Sequence, residues 1–126
     1  MPAIAEAVVG AVDGLAPAVL RPLRVVPVPK RGPPRLFALD LDDAGGRAGQ
    51  VQAAVSCALQ AGGWHEPERR PFWPHITLAR VRRGVRPDPL VADPPSWELQ
   101  ASEVTLYRSH LSPRGARYEP MARASL

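Results

Sequence analysis

Phe72-Trp73-Pro74-His75-Ile76-Thr77-Leu78-Ala79-Arg80 reads as an extended segment entering a sheet. Pro74 precedes the run, and Ile76, Thr77 and Leu78 are the β-branched and apolar residues that suit a strand. Side chains alternate along a strand, so His75 and Thr77 project to one face and Ile76 and Leu78 to the other. One face is fit to enter a core, while the other presents an imidazole beside a hydroxyl. That pair suits a phosphate. An imidazole moves protons near neutral pH, and a hydroxyl donates to a phosphoryl oxygen. By strict alternation Arg80 falls on the Ile76 face, and it joins His75 only if the strand ends or bulges there.

Working outward, the chain alternates helical and extended signals. Residues Pro2 to Leu15 predict a helix, with Ile4, Val8, Val12 and Leu15 at helical spacing and Gly14 near the stop. Pro17 and Pro22 break that pattern. Leu23 to Val28 is a short apolar stretch whose Pro27, with Pro29 beyond it, predicts a sheet edge or an end. Leu36 to Leu41 predicts a strand. Asp42 or Asp43 then caps a helix from about Ala44 to Ala61, with Val51, Val55 and Leu59 on one stripe and Gly62-Gly63 as a left-handed stop. After the His75 strand, Arg83 to Trp97 carries four prolines and reads as a long surface loop. A strand is predicted at Glu103 to Leu111, then a turn at Pro113 and Gly115, then a last strand or extended tail from Tyr118 to Ser125. This order predicts an α+β domain with an antiparallel or mixed sheet and two helices on one side.

The bulk properties narrow the function classes. A chain of 126 residues with 45% hydrophobic content fits one domain with one core. No stretch approaches the roughly 18 consecutive apolar residues of a membrane span. Met1 to Leu15 lacks a basic leader and carries Glu6 and Asp13, unlike a secretory signal. A single cysteine, Cys57, excludes an internal disulfide and a cysteine metal cluster; its place in the second helix predicts a packing role, and a reducing cytoplasm is the natural compartment. The net charge is +4, carried by arginines and one lysine, Lys30. Arg69, Arg70, Arg80, Arg82, Arg83 and Arg86 flank the His75 strand. Guanidinium forks match phosphate oxygens, so the cluster suits a polyanion such as an RNA end. A solvated surface explains the same charges equally well.

The run Pro74 to Arg80 resembles the C-terminal signature of the LigT-like family. These are the RNA 2',3'-cyclic phosphodiesterases, or 2'-5' RNA ligase-like proteins, of the two-histidine phosphoesterase superfamily. Val104-Thr105-Leu106-Tyr107-Arg108-Ser109, with Gly115 and Tyr118, resembles the family's closing hairpin. Leu36 to Leu41 and the helix ending at Gly62 fall in the family's order, so the resemblance covers nearly the whole chain. It implies two similar lobes facing across a cleft, each giving one His-x-Thr motif. It implies a base that activates water, an acid that protonates the departing ribose oxygen, and no metal or organic cofactor. This chain has one His-x-Thr. His65 and His110 stand in Trp-His-Glu and Ser-His-Leu contexts without a suitably placed hydroxyl, and both read as surface residues. The expected fold is therefore a bilobal two-histidine phosphoesterase lacking its N-terminal part.

The expected catalytic residues are His75 and Thr77, with His75 leaning to the base role. Arg80, Phe72, Tyr107 and Ser109 are the expected substrate-binding residues. Phe72 or Trp73 suits stacking on a base, although one of two neighbours is better placed in the core. Tyr107 and Ser109 share a strand face opposite Val104 and Leu106, so they suit a cleft floor or a packing role. The expected partner is RNA or a nucleotide with a cyclic phosphate end, without a membrane. The missing histidine leaves two alternatives open. One is a non-catalytic RNA- or nucleotide-binding remnant. The other is a half-enzyme that forms a homodimer or pairs with a separate N-terminal half.

Overall fold

A computed structural model describes residues 2–89 and 92–126. Two helices, α1 (Pro2–Val12) and α2 (Arg47–Ala61), accompany six strands: β1 (Ala18–Val28), β2 (Leu36–Ala44), β3 (His75–Arg80), β4 (Leu99–Ala101), β5 (Glu103–Ser112) and β6 (Gly115–Ser125). Four strands form one sheet in the order β3-β2-β1-β4, and β5 and β6 form a second sheet. Every pairing is antiparallel. The α+β prediction holds, and the sheet is antiparallel rather than mixed. Strand β4 has no counterpart in the sequence reading, because three residues are too short to show a period. Its pairing with Ala18–Leu20, not local sequence, makes it a strand. Leu90 and Val91, inside the predicted Arg83–Trp97 loop, lie outside the described residues.

The prolines predict a second extended segment confined to Leu23–Val28, but β1 starts at Ala18 and runs through Pro22. A bulge makes this possible: Pro22 faces Leu41 and Arg24 faces Asp40, leaving Leu23 out of register. Beyond Leu20 only β2 pairs with β1 among the described residues, so Pro27 spoils no ladder on its other side. The edge expectation is thus right for Leu23–Val28, although β1 as a whole lies inside the sheet.

The first helix stops at Val12, short of Leu15, because Gly14 turns left-handed at φ 77°. Val8 and Val12 of its stripe are buried, and Ile4 and Leu15 are half-buried. With Ala18, Phe37, Ala38, Leu39 and Leu41 they form the core. Helix α2 lies against β1 and β2, while α1 packs on α2 and reaches β5 and β6. Val51, Val55 and Leu59 of α2 stay half-exposed and line an apolar groove with Leu20, Phe72, Val104 and Leu126. Cys57 is exposed, contrary to its predicted packing role, because it lies off that stripe.

Of the two aspartates that could cap α2, Asp43 is the one used. Its carboxylate accepts from Ala48 N at 2.9 Å and Gly49 N at 2.8 Å. The N-cap position itself is Gly46, which has no side chain to offer. Asp43→Ala is expected to cost about 1 kcal/mol and to lower the thermal midpoint by roughly 4 °C. An unchanged melting curve would show that water satisfies these amides as well. At the other end, Trp64 N donates to Leu59 O and Gly63 N to Gln60 O, each at 3.0 Å. Gly63 supplies the left-handed residue at φ 77°. Gly62 is right-handed, and a Cβ there would collide with the Trp64 ring unless that ring moved.

Candidate functional site

The register of β2 and β3 assembles the site. His75 pairs with Asp40, Ile76 with Leu39 and Thr77 with Ala38; Ala79 then pairs with Phe37 and Arg80 with Leu36. Leu78 is the extra residue, so a bulge falls between Thr77 and Ala79. Directly paired residues of an antiparallel ladder share a face. His75, Thr77 and Arg80 therefore share the face of Asp40, Ala38 and Leu36, and Ile76 and Ala79 share the other with Leu39 and Phe37. Without the bulge Arg80 would stand behind the sheet. Strand β3 is an edge strand and exposed along its whole length, so His75, Thr77 and Arg80 are open to solvent, while Ala38 beneath them is buried.

The His75 ring is held by two contacts. Its Nδ1 lies 2.8 Å from the Trp73 carbonyl oxygen, which only accepts, so Nδ1 carries the proton and donates. The lone pair of neutral His75 is thereby on Nε2, which has no hydrogen-bond partner among the described residues. The Trp73 indole stacks on the imidazole with centroids 4.0 Å apart and planes at 15°. Trp73 Nε1 donates to Asp40 Oδ1 at 2.9 Å, and Arg24 Nη2 lies 3.3 Å from Asp40 Oδ2.

Phe72 and Trp73 are both exposed, so neither takes the core role expected of one of them; the chain is still outside the sheet when it passes them. Trp73 faces a histidine rather than the interior. Phe72 lines a cavity of about 430 Å³ with Gln52, Glu68, Arg70, Trp73 and His75. Trp73 and Asp40 also border a cavity of about 280 Å³ with Arg24 and Lys30. Arg69, Arg70, Arg80, Arg82, Arg83 and Arg86 are all exposed. No group of three or more metal-ligating side chains comes together among the described residues.

Tyr107 and Ser109 are not gathered with His75. They lie on the β5–β6 hairpin, which contacts α1 and not β3 among the described residues. Tyr107 pairs with Pro120 and Ser109 with Tyr118, and the rings of Tyr107 and Tyr118 meet edge to face at 6.3 Å. On the opposite face of the hairpin His110 Nε2 lies 2.8 Å from Glu119 Oε2. His65 is exposed, as expected from its sequence context, and His110 is half-buried beside Glu119.

The hydrogen bond from His110, helped by the charges of His110, Arg117 and Arg108, holds the Glu119 carboxyl below its ordinary range. A lowered folded-state value stabilises the hairpin above the unfolded glutamate value of about 4.3. That stabilisation is lost as pH falls through the folded value. Carbon-detected titration of Glu119 is expected to give a midpoint below that of the free residue. A midpoint at or above the ordinary value would show that the pair does not persist in solution.

Sequence reasoning missed Asp40 and Arg24, and it assigned Trp73 a different task. No local signal pairs Asp40 with His75, since strand register joins residues 35 positions apart.

No protein-family model matches the sequence, and no curated protein matches it. Solved structures do. TT0787 of Thermus thermophilus is 28% identical with a TM-score of 0.73, covering 100% of this chain and 69% of its own. E. coli LigT with 3'-AMP is 22% identical with a TM-score of 0.75, covering 99% of this chain and 67% of LigT. E. coli LigT with ATP is 25% identical with a TM-score of 0.55, over 98% of this chain and 67% of LigT. The fold agrees with these likenesses, and over nearly its whole length the chain is similar to the LigT-like proteins.

Proposed function

We propose that this chain is a phosphoesterase that opens the 2',3'-cyclic phosphate at RNA ends. The observation that carries the reading is the face made by His75, Thr77 and the bulge-turned Arg80. Neutral His75, with Nε2 free, accepts a proton from water as the water oxygen attacks phosphorus. Thr77 Oγ1 and the Arg80 guanidinium face the phosphoryl oxygens as negative charge builds on them. The bond from phosphorus to one ribose oxygen breaks, and that oxygen takes a proton from an acid. The product is a phosphomonoester beside a free hydroxyl. Phe72, at the rim of the cavity that His75 also lines, offers a stacking surface for the base. E. coli LigT is complexed with 3'-AMP and with ATP in its structures, and a nucleotide is the ligand class proposed here. Tyr107 and Ser109 bind substrate only if the RNA extends to the hairpin. No helix of the described residues is long and apolar enough to cross a membrane. The proposed setting is the cytoplasm.

Base and acid act in the same step, so one imidazole does not serve as both. The chain has a single His-x-Thr, and the second acid–base group is proposed to come from a second copy or a separate segment. The apolar groove between α2, Phe72 and Leu126 favours such pairing, because an isolated monomer leaves these side chains wet. Sedimentation giving only a stable, folded monomer would count strongly against it.

The test is hydrolysis of a nucleoside 2',3'-cyclic phosphate and of an oligonucleotide with a cyclic phosphate end, followed by phosphorus NMR. Conversion to a monoester that depends on His75 supports the reading. Salt-sensitive RNA binding without product would instead support the binding remnant.

A further inference from the structure

Asp40 is the register partner of His75, on the same face, yet its carboxylate does not hold the imidazole. Its two oxygens are taken by Trp73 Nε1 at 2.9 Å and by Arg24 at 3.3 Å. The Asp40 side chain is 15% exposed, so these contacts are partly shielded from water. A hydrogen bond in such a place fixes orientation better than one at an open surface. The indole so anchored lies nearly parallel to the imidazole. The ring of a histidine turns about two torsions, and the contacts oppose both turns. The Nδ1 bond to the Trp73 carbonyl sets the ring's rotation, and the stacked indole sets its plane. Nothing in this arrangement occupies Nε2. Simple burial does not account for the indole, because Trp73 remains 37% exposed.

We propose that Trp73 is a positioning residue that clamps the His75 imidazole with Nε2 facing the substrate, its indole pinned by Asp40 and Asp40 by Arg24. The proposal deepens the phosphoesterase reading and rests on it for its consequence in turnover. The clamp itself stands on geometry and is measurable without substrate. Its partners come from three strands or their approaches: Arg24 from β1, Asp40 from β2, and Trp73 and His75 from the entry to β3. The clamp therefore forms only when the sheet is in register.

The experiment is nitrogen–proton correlation of the histidine rings in the full chain, in Trp73→Leu, in Trp73→Phe and in Asp40→Asn. In the unaltered chain the neutral His75 ring is expected as the Nδ1–H tautomer, with its ring protons shifted upfield by the indole. In Trp73→Leu these protons move downfield towards those of His65, although the backbone carbonyl that accepts from Nδ1 remains. Trp73→Phe keeps a ring to stack and loses the bond to Asp40, so it lies between the two. Asp40→Asn keeps an acceptor for the indole and loses the pairing with Arg24, so it shifts less than Trp73→Leu. Backbone amide spectra report whether each variant is folded, and the two milder variants answer the question should Trp73→Leu unfold. Folded variants with unmoved His75 resonances would overturn the clamp.

With a cyclic phosphate substrate, Trp73→Phe is expected to lower kcat about tenfold with KM within about twofold, since a loosened base changes the chemical step and not binding. A chain without turnover, but with His75 resonances that move as described, upholds the clamp and counts against phosphoesterase turnover by this chain alone. Turnover with unmoved resonances does the reverse.

Discussion

Replacing His75 with alanine is expected to lower hydrolysis of a 2',3'-cyclic phosphate by about 10³-fold, within the range that general acid–base catalysis supplies. That loss corresponds to about 4 kcal/mol of transition-state stabilisation. Stability should change little, because the His75 ring is exposed and its hydrogen bond and ring stacking among the described residues are both with Trp73. An unaltered melting curve with lost turnover separates a chemical role from a structural one. Thr77→Val keeps the β-branched shape on the strand and removes the hydroxyl; a loss of about 10²-fold is expected, as for one oxyanion donor. Undiminished turnover in His75→Ala would sink the assignment of the base.

Phe37→Ala is expected to cost about 3 kcal/mol or more, as for a buried aromatic truncated to alanine. Phe37 is the largest of the buried apolar side chains, at 7% exposure. It stands on β2 between Pro27 and Ala79, its partners on β1 and β3. A domain of this size has about 5–15 kcal/mol of stability in all, so one such loss removes a large share. The damage should extend to chemistry, because Ala79 and Phe37 close the bulge that turns Arg80 towards His75. Urea unfolding measures the loss, with Leu111→Ala as a control. Leu111 is 85% exposed and its truncation should fall within about 0.5 kcal/mol of zero. A cost for Phe37→Ala as small as the control's would mean that the core collapses around the vacancy.

Local sequence carried the elements whose cause is local. The stripe through Val8 and Val12, the glycine stop after α2, the aspartate ahead of it and the apolar run of β3 each act over a few residues. Periodicity and turn chemistry therefore read them correctly. The pairing of His75 with Thr77 on one face was legible for the same reason, since alternation is a property of a single strand. The resemblance of Pro74 to Arg80 to the LigT-like signature pointed to proteins whose fold the structure shares.

Other features depend on residues far apart in the chain. Strand β4 exists because Leu99–Ala101 finds Ala18–Leu20. Arg80 changes face because the β2 ladder slips by one residue at Leu78, which no alternation rule foresees. Trp73 stacks on His75 with its indole held by Asp40, a partly buried acceptor far away in the chain. Tyr107 and Ser109 stand apart from His75 because β5 and β6 pair with each other and not with the main sheet. The sequence by itself determined which strand carries the imidazole and hydroxyl, because that follows from covalent geometry and side-chain preference. Only the tertiary structure decided which residues surround them, because register is set by hydrogen bonding and packing between segments that the chain keeps far apart.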